Sequence, residues 1–178
     1  MKSLLVFSLI VLSFTACTSS NTETTAAANK DSVTAPVVTL PYTASYSSNF
    51  VPGKPADVAT VLNSYKAWEQ NDMSLMRSTF GDSVVMVFSS GFVFNNTLDS
   101  LIKDAKKYRD SLSRVNLTFI AWTSNHSVDK NEDWVNVWYK EVDTRKTGKV
   151  DSTFYQEDNR LKDGKIVFVS SHQQKYMK

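Results

Sequence analysis

Beyond residue 114 the chain alternates apolar and polar side chains in four runs, 115–124, 134–142, 150–160 and 166–176. A period of two is the signature of strands with two distinct faces. Asp129-Lys130-Asn131-Glu132 and Lys146-Thr147-Gly148-Lys149 supply turns between them, and the last two runs are joined through Lys162-Asp163-Gly164-Lys165. Upstream the period changes. Val58, Val61, Leu62, Tyr65 and Trp68 recur at helical spacing, which predicts a helix over 56–70 with Asp57 as its N-cap. Asn71-Asp72 breaks it, and a short second helix turns Leu75, Met76 and Phe80 inward before Gly81 ends it. The β-branched run at 84–88 and a short strand at 92–94 flank a turn at Ser89-Ser90-Gly91. Thr97 then caps a third helix whose stripe is Leu98, Leu101, Ile102, Ala105, Tyr108 and Leu112. Helices first and long strands after them predict an α+β domain.

The composition narrows the function classes. Lys and Arg number 20 against 18 for Asp and Glu, a formal charge of +2 that is too small for a nucleic-acid face. Only 5 Gly occur, with neither a GxGxxG nor a Walker-type loop, so no nucleotide cofactor is expected. The one cysteine excludes an internal disulfide, and no Cys/His set has metal spacing. Aromatic residues make up 12 % of the chain, which suits a sheet with large side chains on both faces.

Cys17 has another use. Met1-Lys2 is a basic start, residues 4–14 form an apolar run too short to span a bilayer, and small residues follow. Phe14-Thr15-Ala16-Cys17 resembles the lipobox of bacterial lipoproteins, with Phe in place of the usual Leu. The resemblance implies a signal peptide over 1–17, a lipid on Cys17 and anchorage to a membrane of the cell envelope. Thr18 resembles the residue of lipoproteins sent to an outer membrane. Residues 18–55 are rich in Ser, Thr, Ala and Asn and read as a tether. The last part of it, 41–51, carries three aromatics and is placed to pack on the domain edge.

Three local motifs point to a family for residues 56–178. Trp68-Glu69-Gln70-Asn71-Asp72 is similar to the end of helix one in nuclear-transport-factor-2-like (NTF2-like) proteins of the SnoaL-like branch. Phe80-Gly81-Asp82-Ser83-Val84 is similar to their lead into the first strand, and Lys162-Asp163-Gly164-Lys165-Ile166 to their last turn. The resemblance implies a curved antiparallel sheet wrapped round a long N-terminal helix, a cone with a pocket on its concave side. By that analogy the concave set is Val115, Leu117, Phe119, Val135, Val137, Tyr139, Tyr155, Glu157, Asn159, Leu161, Val167, Val169, Ser171 and Gln173. Of these Phe119, Tyr139, Tyr155, Glu157, Asn159, Ser171 and Gln173, with Tyr65 and Phe88, are the expected ligand pocket. The opposite set holds Ile120, Trp122, Trp134, Trp138, Phe154, Phe168 and His172. Both sets read as apolar, so a face carrying Trp122, Trp138, Phe154 and Phe168 needs a cover. A homodimer is the expected cover, ahead of the N-terminal segment.

The same resemblance tests for catalysis. Ketosteroid-isomerase-like members of the fold use a strand-one Asp base, a helix-one Tyr and an acid in the penultimate strand. The corresponding positions here are Phe88, the Ser64/Tyr65 pair and Glu157. Phenylalanine accepts no proton, so no catalytic residue is assigned and a binding role is preferred. The binding reading takes a small, partly apolar ligand or a protein partner. The alternative is a cofactor-free isomerase, dehydratase or cyclase with Glu157, and His172 beside it, as acid/base.

Overall fold

The computed structural model describes residues 39–175. Cys17 and the apolar run before it lie outside them, as does most of the expected tether. The compact unit begins at Tyr42, so residues 42–55, expected to be tether, belong to the folded part. The elements are β1 (Phe50–Pro52), α1 (Pro55–Gln70), α2 (Met73–Thr79), β2 (Phe80–Phe88), β3 (Val93–Thr97), α3 (Leu98–Arg109), β4 (Leu112–Ser127), β5 (Glu132–Arg145), β6 (Val150–Lys162) and β7 (Lys165–Lys175). The strands form one seven-stranded sheet in the order β1-β4-β5-β6-β7-β2-β3. Every neighbouring pair is antiparallel except β2 and β7, which run parallel.

Helix α1 starts one turn earlier than Asp57 suggested. Lys54 is the N-cap and Pro55 the first helical residue, where its missing N–H is no loss. Asp57 instead lies in the first turn, almost fully buried, favoured there by the positive helix end. Val61, Tyr65 and Ala67 turn to the sheet and are buried. The helix ends at Asn71 in the left-handed conformation (φ 59°), where its backbone N–H reaches back to Trp68 O. Arg109 closes this end from α3, donating Nε to Trp68 O at 2.9 Å and a second nitrogen to Glu69 O at 3.0 Å. The Glu69 carboxylate accepts the Leu117 N–H of β4 at 3.2 Å, so helix and sheet are tied by charge-assisted bonds at one point.

The core lies between α1 and the concave face. Val135, Val137 and Ile166 are fully buried there, and Ile166→Ala would cost about 2–5 kcal/mol. Thr97 caps α3 as expected, accepting the Ser100 N–H. The β6–β7 turn places Asp163 and Gly164 at φ 52° and 70°, the two positive angles of a two-residue hairpin, which explains Asp-Gly at this point. Phe80 and Gly81 open β2 rather than close α2.

Two bulges change which residues share a face. In β4, Phe119 pairs with Tyr139 but Ala121 pairs with Trp138, so Ile120 is the extra residue. Trp122 then pairs with Val137 and sits on the concave side, its ring centroid 6.3 Å from that of Phe119. It does not belong with Trp138, Phe154 and Phe168. In β7, Arg160 pairs with Phe168 and Leu161 with Ile166, leaving Val167 as the extra residue. Ile166, not Val167, enters the core. A single inserted residue inverts all later alternation, which is why pattern alone misplaced both.

The outer face is also less apolar than expected. Across its middle Thr123 and Asn125 donate to Asn136, and Asn136 donates to Asp158 at 2.7 Å. Beside this row the N-terminal segment covers Trp134. Tyr46 packs edge-on against the Trp134 ring at 6.1 Å, accepts its indole N–H at 3.1 Å and donates its hydroxyl to Glu132. Gly53 fixes the segment: its N–H bonds Ser124 O at 2.9 Å, and a Cβ there would meet Asn125 N at 2.8 Å. The N-terminal segment thus covers one aromatic residue of the outer face, Trp134.

Candidate functional site

The concave face leaves a cavity of about 490 Å³ between α1, α3, the β2–β3 hairpin and strands β5–β7. Its inner end is made by α1 and the sheet. Tyr65, on the sheet-facing stripe of α1, donates its hydroxyl to Glu157 Oε2 at 2.5 Å. Glu157 and Ser171 are directly paired across β6 and β7, and Ser171 Oγ donates to Glu157 Oε1 at 2.6 Å. Asn159, two residues along the same face, donates to the Tyr65 oxygen at 3.4 Å and to Val135 O at 3.3 Å. Both carboxylate oxygens of Glu157 are thus met by neutral donors.

Burial pushes the Glu157 carboxyl above its ordinary range, and the hydrogen bonds from Ser171, Tyr65 and Tyr139 oppose that push. Glu157 keeps some accessible surface because it faces the cavity, while protein surrounds the carboxyl group itself. Burial and the charge of Glu157 hold the Tyr65 hydroxyl well above the usual phenol range. Tyr65 therefore keeps its proton and acts as a donor.

A second acid was not anticipated. Glu141 continues the β5 alternation Val135, Val137, Tyr139 and also lines the cavity. Burial is the main reason that its carboxyl is pushed up to about 8, with the Asp143 charge adding to it and a bond from Trp68 opposing. Asp143 Oδ1 is buried with no hydrogen-bond partner, while Oδ2 accepts from Tyr108 at 3.4 Å. A protonated Glu141 is the donor that would satisfy it. Following the alternation two residues past Tyr139 would have found Glu141, and four would have found Asp143.

Aromatic rings make the walls. Tyr139 and Tyr155 stack at 5.2 Å, Trp68 and Tyr108 at 6.0 Å, and Phe88 packs on Phe92 at 5.7 Å. The exposed residues Phe92, Asp104, Tyr108 and Gln173 mark the mouth. Of the expected pocket residues, Tyr65, Phe88, Tyr139, Tyr155, Glu157, Asn159, Ser171 and Gln173 line this cavity. Phe119 lies behind it, against Tyr65 at 5.4 Å and Tyr139 at 5.6 Å. His172 is not brought to Glu157. It pairs with Gln156 on the other face, where its Nε2 lies 3.2 Å from Ser170 Oγ. His126 is engaged far from the cavity by Asp133 at 2.7 Å, which also holds Lys54. Among the described residues no group of three or more His, Cys, Asp or Glu is arranged to hold a metal ion. A second, more open recess of about 440 Å³ lies on the outer face beside Tyr46 and Trp134.

No protein-family model matches the sequence, and no curated protein matches it. Solved structures do match the fold. An NTF2-like protein of unknown function from Burkholderia pseudomallei superposes with a TM-score of 0.55 at 15 % identity, over 68 % of this chain and 92 % of its own. An epoxide hydrolase from M. tuberculosis gives 0.55 at 8 % identity, over 67 % and 83 %. TerC, co-crystallised with polyporic acid, gives 0.54 at 14 % identity, over 67 % and 92 %. Identities this low carry the architecture and nothing finer. The curved sheet, the helix it wraps and these likenesses together give the domain the NTF2-like fold.

Proposed function

We propose that this chain is an envelope lipoprotein, anchored through Cys17, whose cone binds a small, partly apolar molecule. The observation that carries the reading is the cavity of about 490 Å³, walled by aromatic rings and ending on a few convergent polar groups, Tyr65, Glu157, Asn159 and Ser171. An apolar chamber with a small polar cluster is the common form of a ligand site. TerC, a protein of the same fold, was co-crystallised with polyporic acid, which agrees with ligand binding by this fold. The lipobox supports the anchor, and the outer-face aromatics left beyond Tyr46, Trp138 and Phe154, support self-association. The test is binding of Nile red, a neutral apolar dye, to the full chain. Saturable binding is expected, and it is expected to be lost in Ala105→Trp, which places a large ring in the α3 wall of the cavity. Equal binding by both chains would contradict a site in the cone.

One observation favours a second reading. The 2.5 Å contact between Tyr65 and Glu157 holds a carboxyl of raised affinity for protons against the cavity, as a general acid or base requires. In a cofactor-free enzyme of isomerase, dehydratase or cyclase type, Glu157 would move the proton and Tyr65 would steady the developing charge. Glu157→Gln would then abolish turnover with little change in binding.

A further inference from the structure

The charge of the cavity wall is one-sided. Glu157, Glu141 and Asp104 line it, and among the described residues the lining holds no Lys, Arg or His. Of the nearby guanidinium groups, Arg109 bonds the carbonyls of Trp68 and Glu69 and Arg145 bonds Asp151 at 3.3 Å; the charges of both also favour the ionised form of Asp143, but neither group enters the lining. Behind the wall a further acid, Asp143, lies buried beside Glu141. The walls between the acids are ring faces. On the sheet the stacked pair Tyr139 and Tyr155 separates Glu141 from Glu157, because Tyr139 pairs with Tyr155 while Val137 pairs with Glu157 and Glu141 with Thr153.

We propose that the ligand of this cavity is a small organic cation, an apolar body carrying a protonated or quaternary amine seated between the Tyr155 ring and the carboxylates of Glu141 and Glu157. The inference rests on the reading of the cone as a ligand site and names the class of ligand. Ring faces attract a cation through their quadrupole, most strongly where water is excluded. A buried carboxyl without a positive partner is unfavourable as an ion, and an ammonium group supplies that partner. A bare metal ion fits poorly, since it needs a shell of oxygen ligands where these walls are carbon.

The experiment is calorimetric titration of the full chain with three probes of one shape: naphthylmethylammonium, naphthylmethanol and naphthoate. The ammonium is expected to bind at least about tenfold tighter than the alcohol, with naphthoate weakest. Glu141→Gln and Glu157→Gln, each checked for an unchanged circular dichroism spectrum, are expected to weaken the ammonium more than the alcohol and so erode its advantage. The wild-type comparison needs no variant, so it stands even if one of them does not fold. Equal binding of alcohol and ammonium would overturn the cation assignment and leave the ligand cavity in place. Absence of binding by all three probes, with Nile red also unbound, would remove both.

Discussion

The Tyr65 hydroxyl lies 2.5 Å from Glu157 Oε2 across 92 residues of sequence, joining the central helix to the penultimate strand inside the cone. This bond is structural whatever else it does, because without it the Tyr65 O–H has no acceptor and Glu157 Oε2 loses its donor inside the protein. Tyr65→Phe keeps the ring packing against Phe119 and Tyr139 and removes only the donor. It is expected to lower stability by about 1–3 kcal/mol, read from the denaturant midpoint. It should also push the Glu157 carboxyl further up, since one of the bonds holding it down is gone.

The acids of the cavity set a pH dependence. Glu141 has an ordinary value of 4.5 and is pushed up to about 8 in the folded chain, so between these values the folded state holds a proton that the unfolded state has lost. Stability therefore falls as pH rises through this window, and the contribution is fully present only below pH 4.5. Glu157 shifts in the same direction. Glu141→Gln should match the wild type at pH 5 in thermal melts and exceed it at pH 9 by at least about 1 kcal/mol. A parallel pair of melting profiles would place the Glu141 carboxyl in water.

The N-terminal segment is held by the β1–β4 ladder, by the Asn49 carbonyl on the Val128 N–H, by the Gly53 approach to β4 and by the Tyr46 contact with Trp134. Gly53→Val adds atoms where a Cβ already meets the backbone of Asn125. It is expected to detach residues 42–52, seen as faster proteolysis before α1, with the melting of the cone little changed. Loss of the whole fold would mean that the segment is part of the core.

Self-association through the outer face makes opposite demands on two tryptophans. Trp138 lies on that face and Trp122 does not. Trp138→Glu should convert a dimer to a monomer in sedimentation, and Trp122→Glu should leave it a dimer. The reverse result would place the contact on the open rim of the cone.

Much of this was legible in the sequence because the signals were local. Thr97 and the Asp163-Gly164 turn need only their neighbours to specify a cap and a hairpin, and the strand periods needed only alternation. Alternation also put Glu157, Asn159 and Ser171 on one wall. It failed at Ile120 and Val167, where one extra residue in a ladder leaves no mark in composition. It stopped short of Glu141 and Asp143 because acids at the end of a strand read as solvated charge. Only the third dimension brings Trp68 and Tyr108 over them. The three aromatics of 41–51 marked that stretch as one that packs on the domain edge, but with no periodicity in it nothing named Trp134 as the partner of Tyr46.

In its own cells the cone is expected to hold its ligand. Native mass spectrometry of the full chain, purified from the envelope of its own cells, tests that most directly. The prediction is a species carrying one non-covalent small molecule per chain, of cationic character, absent from the Ala105→Trp variant. A bare chain, or an adduct that persists unchanged in Ala105→Trp, would contradict it.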